Sequence, residues 1–342
     1  MVHPKPQEPI LHSFNKPSHL LRHGITRRQV PLSAIFPTTL PPDSDPDFQA
    51  LLQYFNVISK PYSETNDPVS LDLAVEIERV LNFENLRYGD LLHGQYVEKP
   101  GCKTEFPHPL KYNHEAIKLR MKQQDLHLTR LLRKIVDLVF DFLRKRKWEK
   151  EEEESIPLVV MQDKINIAWK TPKQLVAGYK TTALGGVMGP IETPAGFYHS
   201  WGLFAVFQLV PRGIGPCKPC QLGVPAAIDA GALIGQAVHN LYKSKRKDRE
   251  TIDRDSICIT IHKTSVYFSR ATIRAEDIEN YRRGVGYTPG EREVLYSDSY
   301  DFCDEDERKE MLRGIMAVFE AVRTAILKVL ETDNNLSKEE ER

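Results

Sequence analysis

The chain carries no surplus of charge of either sign. Its 342 residues hold 47 Lys and Arg against 47 Asp and Glu. A protein that coats nucleic acid indiscriminately is basic overall, so any phosphate binding must come from a local patch. A long apolar run is missing too: none approaches the roughly 18 residues needed to span a bilayer. The opening, MVHPKPQEPI, has two charged residues and three prolines where a secretory signal needs an apolar core. Five cysteines, an odd number in so long a chain, make no disulfide framework. Together these absences lead us to expect an intracellular protein, nuclear or cytoplasmic, with no membrane partner.

The compact signatures of catalysis are also missing. There is no G-x-S-x-G, no H-E-x-x-H, no GKS-type phosphate loop, and no cofactor motif. Gly185, Gly186 and Gly189 lack the following helix that a phosphate cradle requires. Gly284 and Gly286 form a lone G-x-G. His199, His239 and His262 come without recognisable partners, which favours packed or surface roles over catalysis. Cys217 and Cys220 have the spacing of a metal or redox pair, but no second CxxC or HxxxH completes a zinc site. An incidental pair in a loop is the plainer reading of the two.

What is present is organisation. Apolar residues make up 41% and charged residues 27%, a globular balance. Proline recurs through residues 1–46, which predicts an extended, irregular arm anchored by Leu20, Leu21, Ile35 and Phe36. Residues 47–150 read as a helical region, with a short helix at 47–55. Residues 69–81 fit either strand or helix and are assigned to helix, and 88–109 to loop. The long helix at 113–148 carries Leu128, Leu131, Leu132, Ile135, Leu138, Val139, Phe142 and Leu143 on one face. An acidic run at 149–154 marks the boundary.

Residues 155–330 read as a mixed α/β domain. Strands are predicted at 156–161 and 165–169 around a turn at Asp163 and Lys164, and a loop at 185–196. A strand follows from Trp201 or Leu203 to Val210. The next helix, 225–243, is rich in Ala and Gly, which permits close approach of the backbone to a sheet. A β-hairpin at 257–273 turns at Lys263 and Thr264. A short helix at 275–283 and a helix running to about Leu330, opened by Asp304 and Glu307 as a capping box, complete it. The tail 331–342 is expected to be disordered. The fold class is therefore α/β, a mixed sheet flanked by helices, behind a proline-rich and helical N-terminal region.

Lys243, Lys245, Arg246, Lys247 and Arg249 form the densest basic cluster. It suits the negative end of the helix before it, a phosphate-binding patch, or a nuclear-import signal. No aromatics are interleaved, so stacking on single strands is not indicated.

The order strand, strand, loop, strand, small-residue helix, hairpin, terminal helix resembles the core of restriction-endonuclease-like (PD-(D/E)XK) nucleases, in particular the divergent versions common in fungal proteins. The resemblance covers roughly residues 155 to 330. It implies metal-assisted phosphodiester hydrolysis, with carboxylates holding Mg²⁺ and a lysine activating water. It places Gln208 where the family has Glu, Val210 where it has Lys, and Gln236 at the helix glutamine, with Tyr242 two turns later. Glu192 or Asp163 would supply the upstream acid and the metal ligand. Gln208 carries no charge to offset the ion, so the resemblance implies a degenerate site and a protein that binds nucleic acid or a protein partner. Two other readings stand beside it. One is an interaction module docking a partner through the 113–148 helix. The other is an active Mg²⁺-dependent phosphodiesterase with a migrated site.

Overall fold

The structure, a computed structural model, describes residues 10–13, 16–58, 77, 114–146, 148, 158–170, 177–192, 200–210, 223–244, 253–262, 264–278, 292–302 and 304–340. In chain order the elements are β1 (Ile10–Ser13), α1 (Pro17–Arg22), β2 (Ile25–Gln29), α2 (Leu32–Ile35), α3 (Pro46–Ile58) and α4 (His114–Arg146). Then come β3 (Val159–Met161), β4 (Ile165–Lys170), β5 (Ala177–Ala183), β6 (Gly185–Glu192), β7 (Ser200–Leu209) and α5 (Gly223–Lys243). Last are β8 (Arg254–His262), β9 (Ser265–Ile273), β10 (Arg292–Tyr296), β11 (Tyr300–Asp301) and α6 (Glu305–Glu340).

Two sheets result. The large one runs β2-β10-β9-β8-β7-β6-β3, with β11 on β9, and the small one runs β1-β5-β4. The sheet is mixed because α5 returns the chain from β7 to a parallel β8, while β8 and β9 form an antiparallel hairpin. Side chains alternate across the large sheet, as a two-residue period requires. Ile257, Ile259 and Ile261 of β8 join one core with Phe268, α3, α4 and α6. Cys258 of β8, with Ala271 and Ile273 of β9, faces the other way, onto α5. The helical region before residue 150 and the α/β region thus share one continuous core, in which Phe48, Leu51 and Phe55 meet Phe302 and Phe319.

The small sheet lies on the far side of α5, supplying Ile167 and Ala183 to its core. Helix α5 is therefore enclosed on two sides, and nearly every residue from Ala226 to Leu241 is buried. That enclosure accounts for its alanines and glycines, since bulkier side chains would hold two sheets apart.

Several expectations are corrected. Among its described residues the N-terminal arm is not irregular: β2 pairs in parallel with β10, and β1 with β5. Its prolines are compatible with this because Pro17 and Pro46 begin helices and Pro31 caps one, positions where a missing N–H costs nothing. Ile35 and Phe36 are fully buried and Leu20 packs on the α5 core, whereas Leu21 is 82% exposed. The supposed loop at 185–196 begins as strand β6. Its glycines are there for close packing: a Cβ at Gly186 would sit 2.6 Å from the Ala205 carbonyl oxygen. Asp163 and Lys164 do not close a hairpin. They bend one strand as it passes from the large sheet to the small one, opposite Leu184, where β5 passes into β6. Finally, α6 continues to Glu340, with no Gly or Pro after residue 330 to stop it.

The 257–273 hairpin and the helices at 113–148 and 225–243 fall where expected. At the start of α6, Asp304 accepts the Glu307 N–H at 3.0 Å, but the Glu307 carboxylate bonds the Asp301 N–H, so only half a capping box forms. The stretches 69–81 and 88–109 lie, apart from Ile77, outside the described residues.

Candidate functional site

Gln208 is buried on the α5 side of β7, 3% exposed. Its amide donates to Thr181 Oγ1 of β5 across a long 3.5 Å, and its neighbour in register on β8 is Thr260. Val210 follows β7 and continues the ladder through its N–H to Ile261. Gln236 is fully buried on α5 but serves the other end of the strand, donating to the Leu203 carbonyl at 3.0 Å. Asn240, one turn on, accepts the Leu203 N–H at 2.7 Å and donates to its carbonyl at 2.6 Å. Five residues of strand separate Leu203 from Gln208, about 16 Å.

The two upstream acids divide in the same way. Glu192 ends β6 opposite Ser200, the first residue of β7. Asp163 is exposed at the bend after β3, which lies beside Gly186 and hence towards Gln208. Glu192 and Gln236 therefore mark one end of β7, and Asp163 and Gln208 the other. The expected constellation does not converge. Among the described residues no group of three His, Cys, Asp or Glu side chains is placed to hold a metal. These four residues do not fit the Mg²⁺ site that the resemblance implies: an amide engaged with a threonine and two carboxylates at opposite ends of a strand give no common ligand shell.

Lys243 is exposed in the last turn of α5. Lys245, Arg246, Lys247, Arg249, His199, Cys217 and Cys220 lie outside the described residues. His239, half buried on α5, has its pKa lowered by burial and by Lys243. The face of α4 from Leu128 to Leu143 is packed in the core rather than open to a partner.

Sequence reasoning missed Asp229. It is the only carboxylate of α5 and is fully buried. One oxygen accepts Thr260 Oγ1 at 2.8 Å and the Tyr267 hydroxyl at 3.2 Å. The other accepts Arg27 Nη2 at 3.0 Å and Ser269 Oγ at 3.5 Å. The Arg27 guanidinium reaches it from β2 across the Tyr296 ring, 4.0 Å from the centroid. Burial pushes the Asp229 carboxyl up to about 6, against the opposing pull of Arg27 and the three hydroxyls. Burial and the Asp229 charge push the thiol of Cys258, 3.3 Å from Thr260 Oγ1, well up, so it is neutral. With no exposed surface on Asp229 or Cys258, the cluster fastens β2 to the sheet and α5. The available signal was a single carboxylate in an otherwise apolar helix.

A second feature had no sequence signal. A cavity of about 490 Å³ opens between β9 and β10. Its floor is Ala230, Leu233 and Ile234 of α5, and Ile35 of α2 lines the opposite side. Charged side chains around it are already paired: Arg292 with Asp277, Arg270 with Asp255, and Arg28 with Glu293. Its volume lies within the range of small-molecule pockets.

Among the described residues no helix is long and apolar enough to cross a membrane. Compared with known families and curated proteins, the chain matches no family model and no curated sequence.

Proposed function

We propose that this is a nuclease-like α/β protein that has lost phosphodiester hydrolysis and acts by binding. The observation that carries the proposal is Gln208. A neutral amide, buried against Thr181, stands where the resembled nucleases have a charged metal ligand. The chain path supports the ancestry: antiparallel β6 and β7, then α5 as a crossover to parallel β8. Binding to nucleic acid would run through Lys243 and the basic residues 245–249, whose contribution is electrostatic and salt-sensitive.

Incubation with plasmid and single-stranded DNA in Mg²⁺ or Mn²⁺ tests the first half. No turnover above buffer is expected, and turnover lost in Glu192→Gln would overturn the proposal. Retention on a DNA column at low salt, abolished by modest salt, tests the second. Absence of retention at low salt removes nucleic acid and leaves a protein partner.

A further inference from the structure

We propose that His19 and His23 are the imidazole half of a structural Zn²⁺ site that ties the N-terminal arm to the α/β region. Nuclease ancestry plays no part in this. The expectation that no H-x-x-x-H accompanies Cys217 and Cys220 is corrected: His19 and His23 have that spacing. His19 lies within α1 and His23 is its C-cap. The His23 N–H bonds the His19 carbonyl at 3.1 Å, so the two stand one helical turn apart on one face. A helix offers two imidazoles to one metal ion at this spacing.

Both rings meet the same wall. His19 packs edge-on against the Tyr179 ring of β5 with centroids 5.2 Å apart, and His23 does so at 5.4 Å. His23 is buried and His19 half-buried, so the pair lies on the inner side of α1. The backbone that carries them is fixed on both sides. Leu20 packs on the α5 core, and Gly24, at a φ of 58° that favours glycine, turns the chain into β2. Lys16 donates its N–H to His19 Nδ1 at 3.4 Å, a bond long enough for the ring to give it up on coordination.

Two imidazoles do not complete a structural zinc site, which takes four ligands. Among the described residues no third His, Cys, Asp or Glu side chain joins them, so the other ligands come from outside that set. Cys217 and Cys220, outside the described residues, are two thiols at zinc spacing. The connection that contains them leaves the sheet after Val210 and ends at Gly223, where α5 begins. It departs beside the wall that the histidines share. Gln208 donates to Thr181, which stands two residues from Tyr179 on the same face of β5, about 7 Å along the strand. Charge favours this pairing as well. Two thiolates cancel the two charges of the ion while the imidazoles stay neutral, as a buried site requires.

The test uses the full chain, purified under reducing conditions without a metal-affinity step. Elemental analysis should find about one zinc per chain. Co²⁺ exchanged into the protein should give the intense bands of tetrahedral coordination together with thiolate-to-cobalt charge transfer. His19→Gln combined with His23→Gln should weaken zinc binding by roughly a hundredfold or more, and so should Cys217→Ser combined with Cys220→Ser. Chelation of the parent protein, which depends on no variant folding, should lower its melting temperature, and added zinc should restore it. The proposal fails if the chain holds neither zinc nor cobalt, or if the histidine variant holds zinc as tightly as the parent. It also fails if the cobalt spectrum lacks the thiolate band, or if chelation leaves the melting temperature unmoved.

Discussion

Replacing Asp229 by Asn separates two opposing effects on one buried carboxylate. Burial favours its neutral form, and Arg27, with the Thr260, Tyr267 and Ser269 hydroxyls, favours the charged one. Burial wins, moving the pKa from 3.8 to about 6. The folded state therefore holds this proton more tightly than the unfolded chain. The stabilisation from protonation is fully present below the unfolded value and is lost as pH rises through the folded one. Over the interval from 3.8 to about 6 it corresponds to about 3 kcal/mol.

The variant retains an oxygen acceptor but does not titrate. Urea unfolding of both proteins at pH 4.5 and pH 7 should show the parent losing about 2 kcal/mol more than Asp229→Asn over that rise. Asp137, also raised to about 6 by burial and by Asp141, titrates in both proteins and cancels in the difference. A flat difference would refute the dominance of burial. A difference of opposite sign would mean that Arg27 prevails and that the ion pair is a net stabiliser at neutral pH.

Four further outcomes follow from contacts described above. Gly186→Ala should cost about 1–3 kcal/mol in urea unfolding, because the new Cβ meets a main-chain oxygen that no rotamer relieves. Gly189→Ala meets chiefly the Ile326 side chain, most closely its terminal Cδ1, so Ile326→Val should restore much of its loss, and the same second change should not rescue Gly186→Ala. Asn240→Leu leaves the buried Leu203 N–H without its acceptor and should cost about 1–3 kcal/mol at the same denaturation midpoint comparison. Gln208→Glu places a carboxylate in a buried position beside Thr181, and its stability relative to the parent should fall between pH 5 and pH 8.

Legibility in the sequence followed locality. The β8–β9 hairpin was readable because every second residue is apolar and the turn is short. Helices α4 and α6 were readable because Leu128–Leu143 and Met311–Ile326 repeat at helical steps. Strand β2, ITRRQ, has one apolar residue and is held by β10 and by Arg27, so its local sequence carries no strand signal. Glycine in β6 misled for a related reason. A glycine that permits a turn and one that permits close contact look alike until the neighbour is known, and here the neighbour of Gly186 is β7. Asp229 was conspicuous by itself, but its cation lies 202 residues away. The cavity beside β9 lies where its described pairing with β10 stops, and no residue type encodes that.

The small sheet bears on the proposed loss of hydrolysis. Gln208 meets Thr181 because β5 folds over the end of β7, and α5 fills the space beside them. A duplex could reach Gln208 from this side only if the β4–β5 hairpin swung away. Its pivot is Leu184, and that residue is held twice: its N–H bonds the Phe207 carbonyl at 2.7 Å, and its carbonyl accepts Arg133 from α4. Two hydrogen bonds to the main chain of this buried pivot, one from the Arg133 side chain, oppose such a swing. The neutral side chain and the covered position are thus consistent with each other. A carboxylate there would be a buried charge, which is costly unless it is paired. An amide bonded to a threonine suits a closed interior, and surfaces for a partner then have to be sought away from Gln208.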